Sequence, residues 1–158
     1  MCTEFHWVID GLLAGSAKPG LLNTLEEDVN FLKAMGIELV VTLTELPFTP
    51  SLSSFGFRQI HFPIQDMSFP TPKAGQQICE EIVKAVEERS PTLLHCKAGL
   101  GRTGMMLACC LVSMGKDPEQ ALIEVRKRNR AYVQTQGQAN FIKHYAQYIN
   151  SLKVNVQV

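Results

Sequence analysis

The chain has 158 residues, which suits one domain of ordinary size spanning 1–158. Its 15 basic and 15 acidic side chains cancel to a formal net charge of zero, so binding to nucleic acid or to an anionic membrane surface is not expected. No apolar run approaches the length of a membrane span. The five cysteines form no Cys-x-x-Cys pair and no apolar signal segment opens the chain, so we expect a reducing compartment, the cytosol or the nucleus.

Predicted strands alternate with predicted helices along the chain. Residues 5–9 and 12–15 flank Asp10-Gly11, a strong hairpin signal, and predict a short antiparallel pair. The nearly continuous aliphatic run 37–43 is typical of a strand buried on both faces of a mostly parallel sheet. Residues 57–64 predict a further strand after a proline- and serine-rich connection.

Predicted helices follow these strands. They cover residues 25–35, 72–88, 105–114 and 118–129, and a last helix begins after Thr135. Alternating strand and helix patterns indicate an α/β fold, here a central, mostly parallel sheet flanked by helices, with an N-terminal β-hairpin.

The stretch around His95 and Cys96 carries the clearest chemical signal. An apolar run ends in this pair, a glycine-spaced loop follows, and Arg102 and Thr103 open an apolar helix. A loop that feeds a helix N-terminus turns several backbone N–H groups toward one point, where a tetrahedral oxyanion binds. These groups, the helix dipole and Arg102 favour the thiolate of Cys96, which is the nucleophilic form. Arg102 can bind two phosphate oxygens in a bidentate fork, and Thr103 can donate its hydroxyl to the sulfur.

This Cys-x5-Arg loop, preceded by His and followed by Thr-Gly, resembles the phosphate-binding loop of the cysteine-based protein phosphatases. The chain as a whole resembles a small, atypical, single-domain dual-specificity phosphatase. The resemblance implies a protein tyrosine phosphatase-like fold and a phosphocysteine intermediate, with no metal or cofactor. It also implies that His95 holds the backbone of Cys96 and adds local positive character. The residues expected to bind phosphate are Lys97, Ala98, Gly99, Leu100, Gly101 and Arg102.

Asp66 is the predicted general acid. It follows the strand predicted at 57–64, in a proline-stiffened loop. Ligand sites gather outside the carboxyl ends of parallel strands, so we expect Asp66 to share one edge of the sheet with Cys96. There it would protonate the departing oxygen when the thiolate attacks phosphorus. Its place before a proline-rich segment resembles the general-acid loop of the family; the alternative is a turn aspartate that bonds its own backbone.

Residues 133–138 resemble the glutamine-bearing stretch before the last helix of that family. By this resemblance Gln138, three residues after Thr135, would orient the water that hydrolyses the phosphocysteine, and a surface glutamine is the alternative. The chain departs from the family just before this stretch. Asn129-Arg130-Ala131 replaces the usual Arg-Pro-Gly, which leaves the conformation of that loop open.

The predicted activity is removal of phosphate from phosphotyrosine, phosphoserine and phosphothreonine in proteins, with phosphate or other oxyanions bound in the loop. A phosphoinositide phosphatase is an alternative suggested by Lys97, but Leu100 stands where that activity usually has a second loop cation. A non-enzymatic phosphate-binding module and a sulfur transferase of the rhodanese type are alternatives from other classes.

Overall fold

In the computed structural model, which describes residues 1–156, helices cover both faces of a five-stranded sheet. The strands are β1 (His6–Ile9), β2 (Leu13–Ser16), β3 (Leu39–Thr42), β4 (Arg58–His61) and β5 (Thr92–His95). Their spatial order is β1-β2-β5-β3-β4; β1 is antiparallel to β2, and all other pairs are parallel. The predicted α/β fold with an N-terminal hairpin is confirmed. The predicted domain limit at residue 158 lies outside the described residues.

Five helices and a short 3-10 turn connect these strands or follow them within the described residues. They are α1 (Leu25–Ala34), the 3-10 turn (Leu52–Phe55), α2 (Pro72–Glu87), α3 (Gly101–Ser113), α4 (Pro118–Arg128) and α5 (Gln136–Val156). The N-cap side chains of Thr24, Thr71 and Asp117 accept backbone N–H groups at the starts of α1, α2 and α4. Within residues 1–156 we find no helix with both the length and the apolar character needed to cross a membrane.

The hydrophobic core lies on both faces of the sheet because side chains alternate along each strand. On β3, Val40 packs with Val29 and Leu32 of α1. Leu39 and Val41 belong to the larger cluster formed with α2, α3 and α5. Helix α3 is buried along nearly its whole length, as its apolar sequence predicts.

The carboxyl ends of the parallel strands lie in one row. Ser16 of β2 and Thr42 of β3 both lie opposite His95 of β5, and His61 of β4 lies opposite Thr42. The loops that leave these strands therefore begin side by side, although they are far apart in sequence. This edge of the sheet is the place where an α/β fold collects a ligand site.

Strand β4 is shorter than predicted. It ends at His61 instead of Ile64, because Pro63 has no N–H group to continue the ladder. The N–H group of Ile64 donates instead to the carbonyl of Leu43 at 3.0 Å, which directs the following loop toward β3.

Candidate active site

The loop that joins β5 to α3 forms a cup of backbone N–H groups. Within the described part of the chain, none of the N–H groups of residues 97–103 donates a hydrogen bond to the protein. Gly99 has a φ angle of +78°, and a side chain there would meet the backbone of Ser16 and Ala17, the nearest atom at 2.4 Å. Such converging N–H groups at a helix N-terminus form an anion-binding site.

Cys96 lies at the floor of this cup and is only 2% exposed. The Thr103 hydroxyl donates a hydrogen bond to its Sγ atom at 3.1 Å, which is the contact that the sequence predicts. A hydroxyl donor and unpaired N–H groups both stabilise a thiolate over a thiol. The sulfur thus lies where it can contact an anion held in the cup.

His95 is fully buried behind the cup and connects β5 to β3. A carbonyl can only accept, so we assign the ring hydrogen to Nδ1, which donates to the carbonyl of Cys96 at 3.2 Å. Nε2 then accepts from the hydroxyl of Thr42 at 2.8 Å. Burial lowers the pKa of His95 to about 4. The expected grip on the backbone of Cys96 is present, but the expected positive character is wrong, because the buried ring is neutral at pH 7.

Arg102 is almost completely buried, and its guanidinium is fixed from one side. Nη1 donates to Glu45 Oε1 at 2.7 Å and to the carbonyl of Ile64 at 2.9 Å. Nε has no acceptor within residues 1–156, whereas Nη2 forms an ion pair of 3.3 Å with Asp66 Oδ1, so a phosphate bound by the Nε–Nη2 fork displaces that carboxylate.

Sequence reasoning missed Glu45. The prolines and serines after β3 indicated a surface connection, and the single carboxylate three residues beyond Thr42 received no role. The signal that could have identified it is its position just after a buried strand, at the carboxyl edge of the sheet. The pKa of Glu45 is lowered by its own backbone N–H group and by the Arg102 guanidinium, so the carboxylate stays ionised.

Asp66 lies on the rim predicted for it, beside Arg102 and Lys97. Its Oδ1 accepts from the N–H group of Met67 at 3.0 Å and lies 3.3 Å from Arg102 Nη2. Its own N–H group donates to Glu45 Oε2 at 3.4 Å, so Glu45 links the arginine to this loop. The Asp66 side chain is 64% exposed, so it is accessible from solvent.

Gln138 has a different environment from the one predicted. Its side chain is fully buried, and its Oε1 accepts the N–H groups of Gln134 and Thr135 at 3.0 and 3.3 Å. Nε2 donates to the carbonyl of Ser68 at 3.2 Å. Both acceptor positions of the amide oxygen are occupied, so it cannot also accept a hydrogen from water. Gln138 thus joins the start of α5 to the Asp66 loop, and its predicted water-orienting role stays a prediction that only the second N–H of Nε2 could serve.

Gln134 is the glutamine of this segment that has a free amide. It is exposed, and its side chain makes no hydrogen bond within the described residues. Its Oε1 lies 2.7 Å from the position that a Cβ atom on Gly101 would take, so it reaches the first residue of α3 at the cup. The resemblance to the family places the role on Gln138 and not on Gln134, although both glutamines lie next to the same helix start.

The loop that departs from the family pattern has a well-defined conformation. The Asn129 side chain accepts the N–H group of Ala131 at 3.0 Å, and Arg126 donates to the carbonyls of Tyr132 and Val133 at 3.0 and 3.1 Å. The N–H group of Val133 donates to the carbonyl of Leu100, in the loop between β5 and α3, at a distance of 3.1 Å. These contacts hold the segment without the arginine and glycine of the usual pattern.

A groove of about 610 Å³ opens beside the cup. Its lining includes Asp66, Arg102 and Lys97 as well as Lys18, Leu46 and Phe48. Of the other predicted phosphate-binding residues, Ala98 is exposed, Leu100 is half-buried, and the two loop glycines are buried. Asp66 and Arg102 therefore line a groove that is larger than a phosphate group needs.

Comparison with known proteins gives a family model and relatives that match most of this chain. The model "Tc-R-P: Polymorphic toxin system, DSP-PTPase phosphatase" matches residues 14–116, which include Asp66 and the whole cup. Cyclin-dependent kinase inhibitor 3 of Mus musculus is 30% identical over 167 residues, which cover 95% of this chain and 77% of the relative. The protein of the same name from Rattus norvegicus is 29% identical over 166 residues, with the same two coverages, 95% and 77%.

Solved structures show the same architecture. The active form of Tk-PTP matches with a TM-score of 0.80 and 29% identity, covering 93% of this chain and 99% of that one. Kinase-associated phosphatase, with its catalytic-site cysteine replaced by serine, matches with a TM-score of 0.79 and 23% identity, covering 95% and 97% of the two chains. At that identity the second likeness concerns the fold.

Proposed function

Because the chain belongs to the family of DSP-PTPase phosphatases and is a cysteine-based phosphatase, we propose that Cys96 is its nucleophile toward phosphorylated tyrosine, serine and threonine in proteins. The observation that carries this assignment is the meeting of three groups at one edge of the sheet. Cys96 receives the Thr103 hydroxyl at 3.1 Å, Arg102 is fixed by Glu45 at 2.7 Å, and Asp66 lies 3.3 Å from that arginine.

In the first step, the thiolate of Cys96 attacks phosphorus while the loop N–H groups and Arg102 bind the non-bridging oxygens. The S–P bond forms as the bond from phosphorus to the substrate oxygen breaks. Asp66 gives its proton to that departing oxygen, so the protein leaves as a neutral alcohol or phenol.

In the second step, water hydrolyses the phosphocysteine. Asp66, now a carboxylate, takes a proton from the attacking water. The S–P bond breaks, phosphate is released, and Cys96 returns to the thiolate. We assign the orientation of this water to Gln134. The assignment is supported by its exposure and by its unoccupied amide, since both Gln134 and Gln138 reach Gly101.

Phosphate release from phosphotyrosine and phosphothreonine peptides tests the proposal. We expect release by the unaltered protein and none by Cys96→Ser, which lacks a nucleophile of comparable strength. Cys109→Ala is the matched control, because that thiol is buried in α3 outside the cup, and it should retain activity. Retained turnover in Cys96→Ser contradicts the nucleophile assignment, and release from inositol lipids alone contradicts the protein substrate.

We also propose a reducing compartment, the cytosol or the nucleus, for this enzyme. The proposal is supported by its five free cysteines and by the need of the mechanism for a reduced Cys96.

A further inference from the structure

The turn that follows β2 has no part in the mechanism above, yet it borders the same groove. This turn, residues 17–21, begins at the edge of the sheet from which the cup also starts. The N–H group of Leu21 donates to the carbonyl of Lys18 at 3.0 Å and closes it. The Lys18 side chain is exposed and lines the groove together with Lys97.

Contacts on two sides fix this turn. The N–H group of Lys18 donates to the carbonyl of Lys97 at 3.0 Å. The neighbouring backbone packs so closely on Gly99 that a Cβ atom there would lie 2.4 Å from a main-chain nitrogen. On the other side, the buried carboxylate of Asp28 in α1 accepts the N–H group of Gly20 at 2.7 Å. The backbone that carries Lys18 is therefore preorganised relative to the phosphate site.

The two lysines of the groove are unpaired cations. Within residues 1–156, neither Lys18 nor Lys97 has a carboxylate oxygen within 4.0 Å. The carboxylates of the groove, Glu45 and Asp66, are both engaged with the phosphate-binding arginine. Lys18 Nζ lies 5.4 Å from the centroid of the Phe48 ring, which holds this ammonium group over the groove.

We propose that Lys18 and Lys97 form a second anion-binding subsite, which receives an acidic side chain next to the phosphorylated residue of the substrate. The subsite rests on the proposed function, because the cup must hold the phosphorylated residue while the groove holds its neighbour. Lys18 is then a specificity-determining residue, and the enzyme prefers phosphopeptides that have Asp or Glu beside the phosphate.

The apolar lining of the groove favours a peptide as the occupant. Leu21, Leu46 and Pro47 form an apolar wall there, and Leu46 is 78% exposed. A peptide covers such an apolar wall with side-chain carbon and removes it from water. A polyphosphorylated sugar ring has hydroxyl and phosphate groups on every side and leaves the wall hydrated.

Two phosphotyrosine peptides test the subsite, one with Glu and one with Gln on both sides of the phosphotyrosine. At low ionic strength we expect the unaltered protein to favour the Glu peptide in kcat/KM by about fivefold, mostly through KM, as for a few partly exposed ion pairs. Lys18→Ala should bring this ratio close to one, and Lys18→Glu should invert it. Added salt should reduce the preference of the unaltered protein, because ions screen the contact.

The matched control is Lys33→Ala. Lys33 in α1 also lies over an aromatic ring, with its Nζ 6.0 Å from the centroid of Phe57, but it does not line the groove. This variant should keep the ratio of the unaltered protein. Equal losses on the two peptides in Lys18→Ala would mean that Lys18 only supports the loop and would overturn the subsite.

Binding measurements on Cys96→Ser separate the subsite from the chemistry. In this background, Lys18→Ala should weaken binding of the Glu peptide about fivefold and leave binding of the Gln peptide nearly unchanged. This difference in binding supports the subsite even if the unaltered protein shows no turnover. An absence of turnover counts against the proposed function and not against the subsite. If Lys18→Ala weakens the binding of a soluble inositol bisphosphate and of neither peptide, the peptide occupant is wrong.

Discussion

Two glutamines in the segment before α5 have opposite hydrogen-bonding states. Gln138 has both acceptor positions of its Oε1 filled by backbone N–H groups, whereas the amide of Gln134 is free within the described residues. Arg102 shows the same division within one side chain, since Nη1 is committed to Glu45 and Ile64 while Nε is free. At the scale of single residues, polar groups that have hydrogen-bond partners hold the site together, and polar groups without partners remain available to substrate and water.

Substitution of the two glutamines should therefore give different defects. In Gln134→Ala we expect hydrolysis of the phosphocysteine to slow on the order of tenfold, because the water loses an orienting group. A rapid-mixing assay with an aryl phosphate should then show a burst of the phenol before a slow steady state. In Gln138→Ala we expect the free energy of unfolding to fall by about 1–3 kcal/mol, because buried N–H groups lose their acceptor. If Gln138→Ala instead shows a burst of phenol and an unchanged free energy of unfolding in urea, the catalytic role belongs to Gln138 and not to Gln134.

The proposed role of Asp66 as the general acid predicts a dependence on the leaving group. An alkoxide needs a proton when it departs, whereas an activated phenolate leaves without one. We expect Asp66→Asn to lower kcat/KM on phosphothreonine peptides by about 10²–10⁴-fold and on a nitrophenyl phosphate by clearly less. Asp10→Asn, on the exposed hairpin turn, is the control and should change neither rate. Equal losses on both substrates would count against Asp66 as the acid.

At the scale of elements, strand ends set the site. The last residues of β2, β3, β4 and β5 lie in one row, so the loops with Lys18, Glu45, Asp66 and Cys96 begin at one edge. His95 connects two of these strands through the Thr42 hydroxyl at 2.8 Å. A buried neutral imidazole in this position makes the packing of β3 against β5 sensitive to pH.

Protonation of His95 should destabilise the fold as the pH falls. The unfolded chain binds a proton on this ring below its ordinary pKa of 6.5, whereas the folded chain binds one only below about 4. Between these values the unfolded state holds more protons, so stability is present above pH 6.5 and is lost toward pH 4. Urea unfolding should show a loss of about 2 kcal/mol from this group between pH 7 and pH 5.

His95→Gln is the comparison for that measurement. It should be less stable at pH 7, because the contacts to Thr42 and Cys96 change, but its free energy of unfolding should vary less between pH 7 and pH 5. A variant with the same pH dependence as the unaltered protein would show that other groups, and not His95, are responsible.

At the scale of the whole molecule, close packing between distant segments forms the cup. Gly99 touches the backbone that follows β2, and Val133 bonds the loop from the far side at 3.1 Å. The N-terminal hairpin is bound to the end of α4 by the Arg128–Asp10 ion pair at 3.0 Å. The phosphate loop is thus held between the first and the last parts of the domain.

Replacement of Gly99 should therefore damage more than one backbone angle. Gly99→Ala places a Cβ atom 2.4 Å from a main-chain nitrogen, so either the loop or β2 must move, and we expect loss of nearly all phosphatase activity. Gly115→Ala is the matched control, because Gly115 also has a positive φ but has open space around its Cβ position. It should cost about 1–2 kcal/mol of stability from backbone strain and keep activity. Similar activities in the two variants would show that the contact at Gly99 is dispensable.

The fold class, the hairpin and the cup around Cys96 could be predicted from the sequence. These features arise from patterns within a few consecutive residues, such as Asp10-Gly11 or the spacing of Cys96 and Arg102. The sequence also placed Asp66 at the correct edge, because the carboxyl ends of parallel strands meet there whatever the side chains are.

Which polar groups have hydrogen-bond partners and which have none depends on the tertiary structure. Glu45 and Arg102 are 57 residues apart in the chain, Thr42 and His95 are 53 apart, and Ser68 and Gln138 are 70 apart. Each pair forms because loops from separate strands converge on one edge of the sheet. Burial and hydrogen bonding depend on how these distant segments pack together. The neutral state of His95 and the different hydrogen bonds of the two glutamines therefore cannot be predicted from consecutive residues.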